Sequence, residues 1–159
     1  MNAQQEPVST PYDSLTYKII GCAMNVHRSL GPGYREDTYQ RDLAIHLTEA
    51  GLTFEPQKLY EVHDSQGGGQ LIGYYIPDFV VEEKVVVEIK ALKGLDNSHL
   101  AQVIGYLAVS ACPIGLLINF GLRSLQYKRI LPPKNITEHK ANRQWLFVPD
   151  WLKGDPADR

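Results

Sequence analysis

The chain has 159 residues, 43% of them hydrophobic and 21% charged, with a formal net charge of −2. That length suits one domain with a real core, and the composition excludes a disordered chain or one built of apolar spans. Charge is uneven: residues 1–83 hold 5 Lys and Arg against 12 Asp and Glu, whereas residues 121–145 hold 6 against 1. The late cations are Arg123, Lys128, Arg129, Lys134, Lys140 and Arg143. Such a block can grip phosphates or be a solvated basic surface.

Cys22 and Cys112 stand apart with no CxxC pair, which speaks for a reduced, cytoplasmic setting and against zinc. Residues 1–13 are polar and lack the apolar core of a leader. The longest apolar run, Leu107 to Phe120, is broken at Cys112-Pro113, so no membrane partner is expected.

Residues 1–13 read as a flexible arm. Asp13 or Ser14 can cap a first helix that runs to about Leu30. Leu15, Ile19, Cys22, Ala23, Val26 and Leu30 give it a buried stripe, and Gly31-Pro32-Gly33 ends it. His27 reads as a packing or capping residue. A second helix is expected from about Tyr34 to Ala50, closed by Gly51, with Tyr39, Leu43, Leu47 and Ala50 inward. Stepping back three from Tyr39 puts Glu36 at the start of that inward face; an acid in the first turn also suits the helix dipole, as Asp37 does.

Phe54 to Asp64 reads as a strand delayed by Pro56, and Leu71 to Tyr75 pairs back across Ser65-Gln-Gly-Gly-Gly69. Next comes Ile76-Pro-Asp-Phe-Val-Val-Glu-Glu-Lys-Val-Val-Val-Glu-Ile-Lys90, two strands folded back on each other. Val85, Val87 and Ile89 point one way; Val86, Glu88 and Lys90 point the other. With the turn centred on Glu83, Val81 pairs with Val85, and Asp78 falls opposite Glu88. A two-residue turn would put Asp78 on the other face. Facing carboxylates repel, and a bound cation turns that repulsion into attraction; hard oxygen ligands suit Mg²⁺ or Mn²⁺. Read without the rest, Glu88 and Lys90 are a same-face ion pair, and Asp78 is a strand-entry residue.

Asp96, Asn97 or Ser98 can cap a third helix with His99, Gln102, Val103 and Tyr106 on one face and Leu100, Ile104 and Leu107 on another. Gly105 inside it suggests close approach of another backbone. Ile114 to Phe120 reads as a strand covered on both faces. Leu125 to Leu131 is a last strand, stopped by Pro132-Pro133. Trp145, Phe147 and Trp151 are expected to pin a tail whose last residues are disordered.

The order of elements, with Pro77-Asp78, nine intervening residues and Glu88-Ile89-Lys90, resembles the PD-(D/E)xK nuclease superfamily. Gly33-Tyr-Arg-Glu36-Asp-Thr-Tyr39 and Gln102-x-x-x-Tyr106 make it similar to the GxxExxY family within that superfamily. The likeness runs from about Leu15 to Leu131 and takes in Leu30-Gly-Pro-Gly33 and Leu117-Ile-Asn-Phe-Gly121; Gly105 departs from it, where a larger polar residue is usual.

The resemblance implies an α/β, restriction-endonuclease-like three-layer core, a mixed sheet flanked by helices, over residues 14–131, followed by an extension over 132–159. It implies a metal-dependent nuclease acting on DNA or RNA. Asp78, Glu88 and the Ile89 carbonyl would hold Mg²⁺, or Mn²⁺, with Glu36 as a further ligand, direct or through water. Lys90 would orient or deprotonate the attacking water. Gln102 and Tyr106 would support the site or touch nucleic acid, and Arg123, Lys128 and Arg129 would meet the phosphates. Two rivals stand beside this reading: a silent nuclease-fold module that binds nucleic acid or a protein, and an assembly domain that forms a homodimer through exposed aromatics.

Overall fold

The computed structural model describes residues 10–64 and 69–133. The first helix, α1, spans Asp13–Leu30 and buries Ile19, Cys22, Ala23 and Val26 along the expected stripe. Its start differs from expectation. No side chain caps it; the Asp13 carboxylate instead accepts from the Thr10 amide and hydroxyl, so it anchors the residues before the helix. Gly31, at φ 69°, takes the left-handed turn that ends it.

The second helix, α2, spans Glu36–Glu49 and begins two residues later than its pattern suggested. The Tyr39 hydroxyl explains this: it donates to the Gly31 carbonyl (2.6 Å) and accepts from the Tyr34 amide (3.2 Å), which holds the lead-in outside the helix. Tyr39, Leu43 and Leu47 are fully buried.

The span expected as one strand is two. β1 (Phe54–Pro56) joins the main sheet, and β2 (Tyr60–His63) forms a separate hairpin with β3 (Leu71–Tyr75). Gln57, at φ 49°, breaks the run. Pro56 does not delay the strand but closes it, on an edge where no amide is needed.

β4 (Phe79–Val81) and β5 (Val85–Lys90) are antiparallel; α3 (Asn97–Ser110) crosses over to β6 (Ile114–Asn119), parallel to β5, and β7 (Gln126–Ile130) returns antiparallel. The sheet order is β1-β4-β5-β6-β7. Asp96 caps α3 in a capping box with His99. Gly105 is buried within α3. A tight approach of this helix to the sheet lies at Gly115 on β6, where an added Cβ would sit 2.5 Å from Val103 Cγ1.

The result is three layers. Val81, Val85, Val87, Ile89, Leu116 and Ile118 pack under α1 and α2, while Val80, Val86 and Leu117 pack under α3 and the β2–β3 hairpin. Each such side chain contributes on the order of 1.5–3 kcal/mol by leaving water. The fold is therefore the expected mixed α/β sheet flanked by helices. No helix among the described residues is long and apolar enough to cross a membrane. Residues 1–9, 65–68 and 134–159, with Lys134, Lys140, Arg143, Trp145, Phe147 and Trp151, lie outside the described residues.

Candidate active site

The β4–β5 turn sets the site. Val81 faces Val85, Val80 faces Val86 and Phe79 faces Val87, so one step further puts Asp78 across from Glu88. This is the register expected from a turn centred on Glu83; Glu82 and Glu83 both take left-handed φ values, 53° and 58°. Successive rows then cross the sheet on the α3 side. Val86, Gly115 and Ile130 form an apolar row, Glu88, Leu117 and Lys128 the next, and Lys90, Asn119 and Gln126 the last. The face turns from apolar to polar towards the carboxyl ends of the parallel pair β5 and β6, where open α/β sheets place their ligands.

Asp78 is held at both ends. Its carboxylate accepts from the Ile89 amide at 2.6 Å. Its carbonyl accepts from the Gln57 amide (2.9 Å) and from Gln40 Nε2 (3.2 Å). Glu88 is only 5% exposed, and its Oε2 is buried with no hydrogen-bond partner. Burial pushes its pKa well above the usual carboxylate range, and the neighbouring Asp78 pushes the same way; Lys90 and Tyr106 pull it back. Tyr106, 6% exposed, accepts from Gln102 Nε2 at 3.0 Å, and burial followed by the Glu88 charge raises its own pKa. Tyr75, from the hairpin, meets the Tyr106 ring edge-on at 5.5 Å.

An orphaned buried carboxylate oxygen beside a second carboxyl group is costly unless a cation joins it. The donor set, two facing carboxyl groups, fits a hard divalent cation. Glu36 stands apart from this cluster. It is exposed at the first turn of α2 rather than on the inward face, because the helix starts at Glu36 itself. No group of three or more His, Cys, Asp or Glu able to hold a metal occurs among the described residues. Gln40, one turn further along the same helix face, is the residue of α2 that reaches Asp78.

The basic residues divide. Lys128 shares the face of Glu88, whereas Arg129 points to the other side, where its Nε donates to the buried Thr16 hydroxyl at 2.9 Å. Arg123 is exposed in the loop after β6. His27 is a packing residue, its Nε2 2.8 Å from the Leu122 carbonyl.

The residues missed from sequence are those that bind backbone: Gln40, Gln57 and the fully buried Asn119. Of these, only Asn119 carried a signal, as the polar end of an apolar strand.

The crystal structure of SSO0001 superposes with a TM-score of 0.52 at 19% identity, covering 88% of this chain and 72% of that one. An alkaline exonuclease from Laribacter hongkongensis gives 0.47 at 14% identity, over 92% and 83% of the two chains. No curated protein matches. A family model described as the PD-(D/E)XK nuclease superfamily matches residues 13–130. The sheet, the paired acids and this match, which spans well over half the chain, lead to one conclusion: the chain belongs to the PD-(D/E)XK nuclease superfamily.

Proposed function

We propose that the protein is a divalent-metal-dependent nuclease of the GxxExxY kind, hydrolysing phosphodiester bonds of DNA or RNA in the cytoplasm. The observation that carries this is the partnerless Glu88 Oε2 beside Asp78, on the same strand face as Lys90. Nucleases of this superfamily generally use divalent metal ions. Asp78 and Glu88 would hold Mg²⁺ or Mn²⁺, with the Ile89 carbonyl, and Glu36, one turn before Gln40 on α2, would reach it through water. The chemistry such an ion supplies is acidification of a water and withdrawal of charge from a phosphate oxygen.

The chain's own residues do the rest. The Ile89 amide fixes the Asp78 carboxylate before any ion arrives. Lys90, half buried and two residues beyond Glu88, orients the attacking water and takes its proton at Nζ. Gln102 turns the Tyr106 hydroxyl, which borders Glu88 and steadies its orientation. Lys128, two strands away, meets a flanking phosphate.

The test is cleavage of single- and double-stranded DNA and RNA with Mg²⁺ or Mn²⁺, wild type against Lys90→Ala. Cleavage that drops at least about a hundredfold in the variant supports the proposal. Absence of cleavage, or equal cleavage by both, refutes it. One observation favours a second reading, a silent nucleic-acid-binding module: Glu36 is exposed and no three-acid group forms. Salt-dependent binding without turnover would select that reading.

A further inference from the structure

On β6, Ile114, Leu116, Leu117 and Ile118 are fully buried aliphatics, and the row ends in Asn119, also 0% exposed. An apolar residue would continue the strand more cheaply, since a buried amide must find partners for every polar atom. Asn119 finds four. Its Oδ1 accepts from the Leu92 amide (2.9 Å) and the Gly121 amide (3.1 Å). Its Nδ2 donates to the Leu92 carbonyl (3.0 Å) and to Gln126 Oε1 (3.1 Å). Leu92 is thus held at both its amide and its carbonyl.

Two further contacts act on the same few residues. The Phe120 amide donates to the Lys90 carbonyl at 2.8 Å, and Lys90 is the register partner of Asn119. A Cβ on Gly121 would overlap the Leu92 carbonyl oxygen and amide nitrogen, so only glycine lets the two backbones lie this close. The end of β5 is therefore fixed from Lys90 to Leu92 by groups that lie wholly on β6 and the two residues after it. With all four of its side-chain hydrogen bonds made to other groups, Asn119 has none left for Lys90 Nζ.

We propose that Asn119, with Gly121, is a positioning residue for Lys90: a clamp that fixes the strand end and so aims the amine into the site. This deepens the nuclease reading and rests on it. Asn119→Asp keeps the two accepted bonds but loses both donated ones. Gly121→Ala pushes on Leu92 without changing any polar group. Both should lower kcat at least about tenfold, with KM and the Mn²⁺ dissociation constant within about twofold, since Asp78 and Glu88 lie upstream of the clamp.

Leu47→Ala, in the core under α2, serves as the stability control. Assayed well below its melting temperature it should keep its kcat, although it unfolds as early as the clamp variants or earlier. Unchanged kcat in both clamp variants, or an equal drop in the control, overturns the proposal. If the wild type cuts nothing, the nuclease reading falls, and hydrogen exchange over residues 90–92 judges the clamp. Protection that drops tenfold in Asn119→Asp upholds it, and unchanged protection overturns it.

Discussion

The face of the sheet under α1 and α2 and the face under α3 differ in what they leave unpaired. Under α1 and α2, the buried polar groups are closed off. The Thr16 hydroxyl donates to the Asp13 carbonyl and accepts from Arg129, and His27 bonds the Leu122 carbonyl. Tyr39 stacks on Phe120 at 4.6 Å between ring centroids, and the other core residues on this face, Phe79 among them, are almost all apolar. Under α3, Asn119 is fully satisfied, but Glu88, one row on from the apolar row of Val86, keeps an oxygen without a partner. Buried polar atoms in folded proteins are almost always bonded, so an exception beside a second carboxyl group marks a place where stability gives way to chemistry. One face is built to hold the fold; the other accepts a penalty that a ligand can remove.

The sharpest way to break this contrast is Glu88→Gln, which keeps the shape and removes the charge. Cleavage should fall at least about a hundredfold, while the metal-free protein becomes more stable. The pH dependence follows from the raised pKa. The folded state binds the Glu88 proton more tightly than the unfolded state, so its contribution to stability is fully present below the ordinary carboxyl pKa of 4.5. It is lost as pH rises from there through the higher folded pKa, at up to about 1.4 kcal/mol per pH unit. Urea unfolding in EDTA should therefore show wild-type stability declining from pH 5 to 8, with the Glu88→Gln curve flatter. Mn²⁺ should raise the wild type through mass action and leave the variant nearly unmoved. A wild-type curve that is flat in EDTA would mean that Glu88 carries no penalty.

The opposite face should answer the opposite way. Leu43, on α2, is fully buried in the core cluster shared with α1 and the sheet. Leu43→Ala should cost about 2–5 kcal/mol in chemical denaturation. At a temperature where it stays folded, its kcat and Mn²⁺ affinity should match the wild type. A selective loss of kcat would show that the two faces are not separable.

Much of this was legible in the sequence because period-2 alternation on a strand assigns faces directly. Val85, Val87 and Ile89 went one way and Glu88 and Lys90 the other, and the three-residue turn at Glu83 then set Asp78 opposite Glu88. The order of helices and the buried run of β6 followed from equally local patterns. What failed was local geometry set by distant partners. The start of α2 depends on the Tyr39 hydroxyl reaching back to Gly31, so Glu36 became the exposed first residue of the helix instead of an inward one. The split of residues 54–63 depends on one left-handed residue, Gln57, whose amide bonds Asp78. Gln40 and Asn119 act on backbone atoms far away in the chain, which no spacing rule reports.

The two faces also separate neighbouring cations that sequence treated alike, and this gives the smallest expected effect. Lys128 is in register with Leu117 and, through it, with Glu88, so its side chain stands on the face of the proposed site. Arg129 turns the other way and is tied to Thr16 on α1. Lys128→Ala should weaken nucleic-acid binding and reduce the slope of log K against log salt by about one, while stability stays within about 0.5 kcal/mol. Arg129→Ala should do the reverse: it leaves the slope unchanged and costs about 1 kcal/mol, because the Thr16 hydroxyl, 0% exposed, loses a donor. Fluorescence anisotropy of a labelled oligonucleotide across a salt series, beside urea unfolding of both variants, separates them. Equal salt slopes for the two would mean that substrate is not held along the α3 face, since neighbouring residues on one strand can differ in that way only if a single face meets the phosphates.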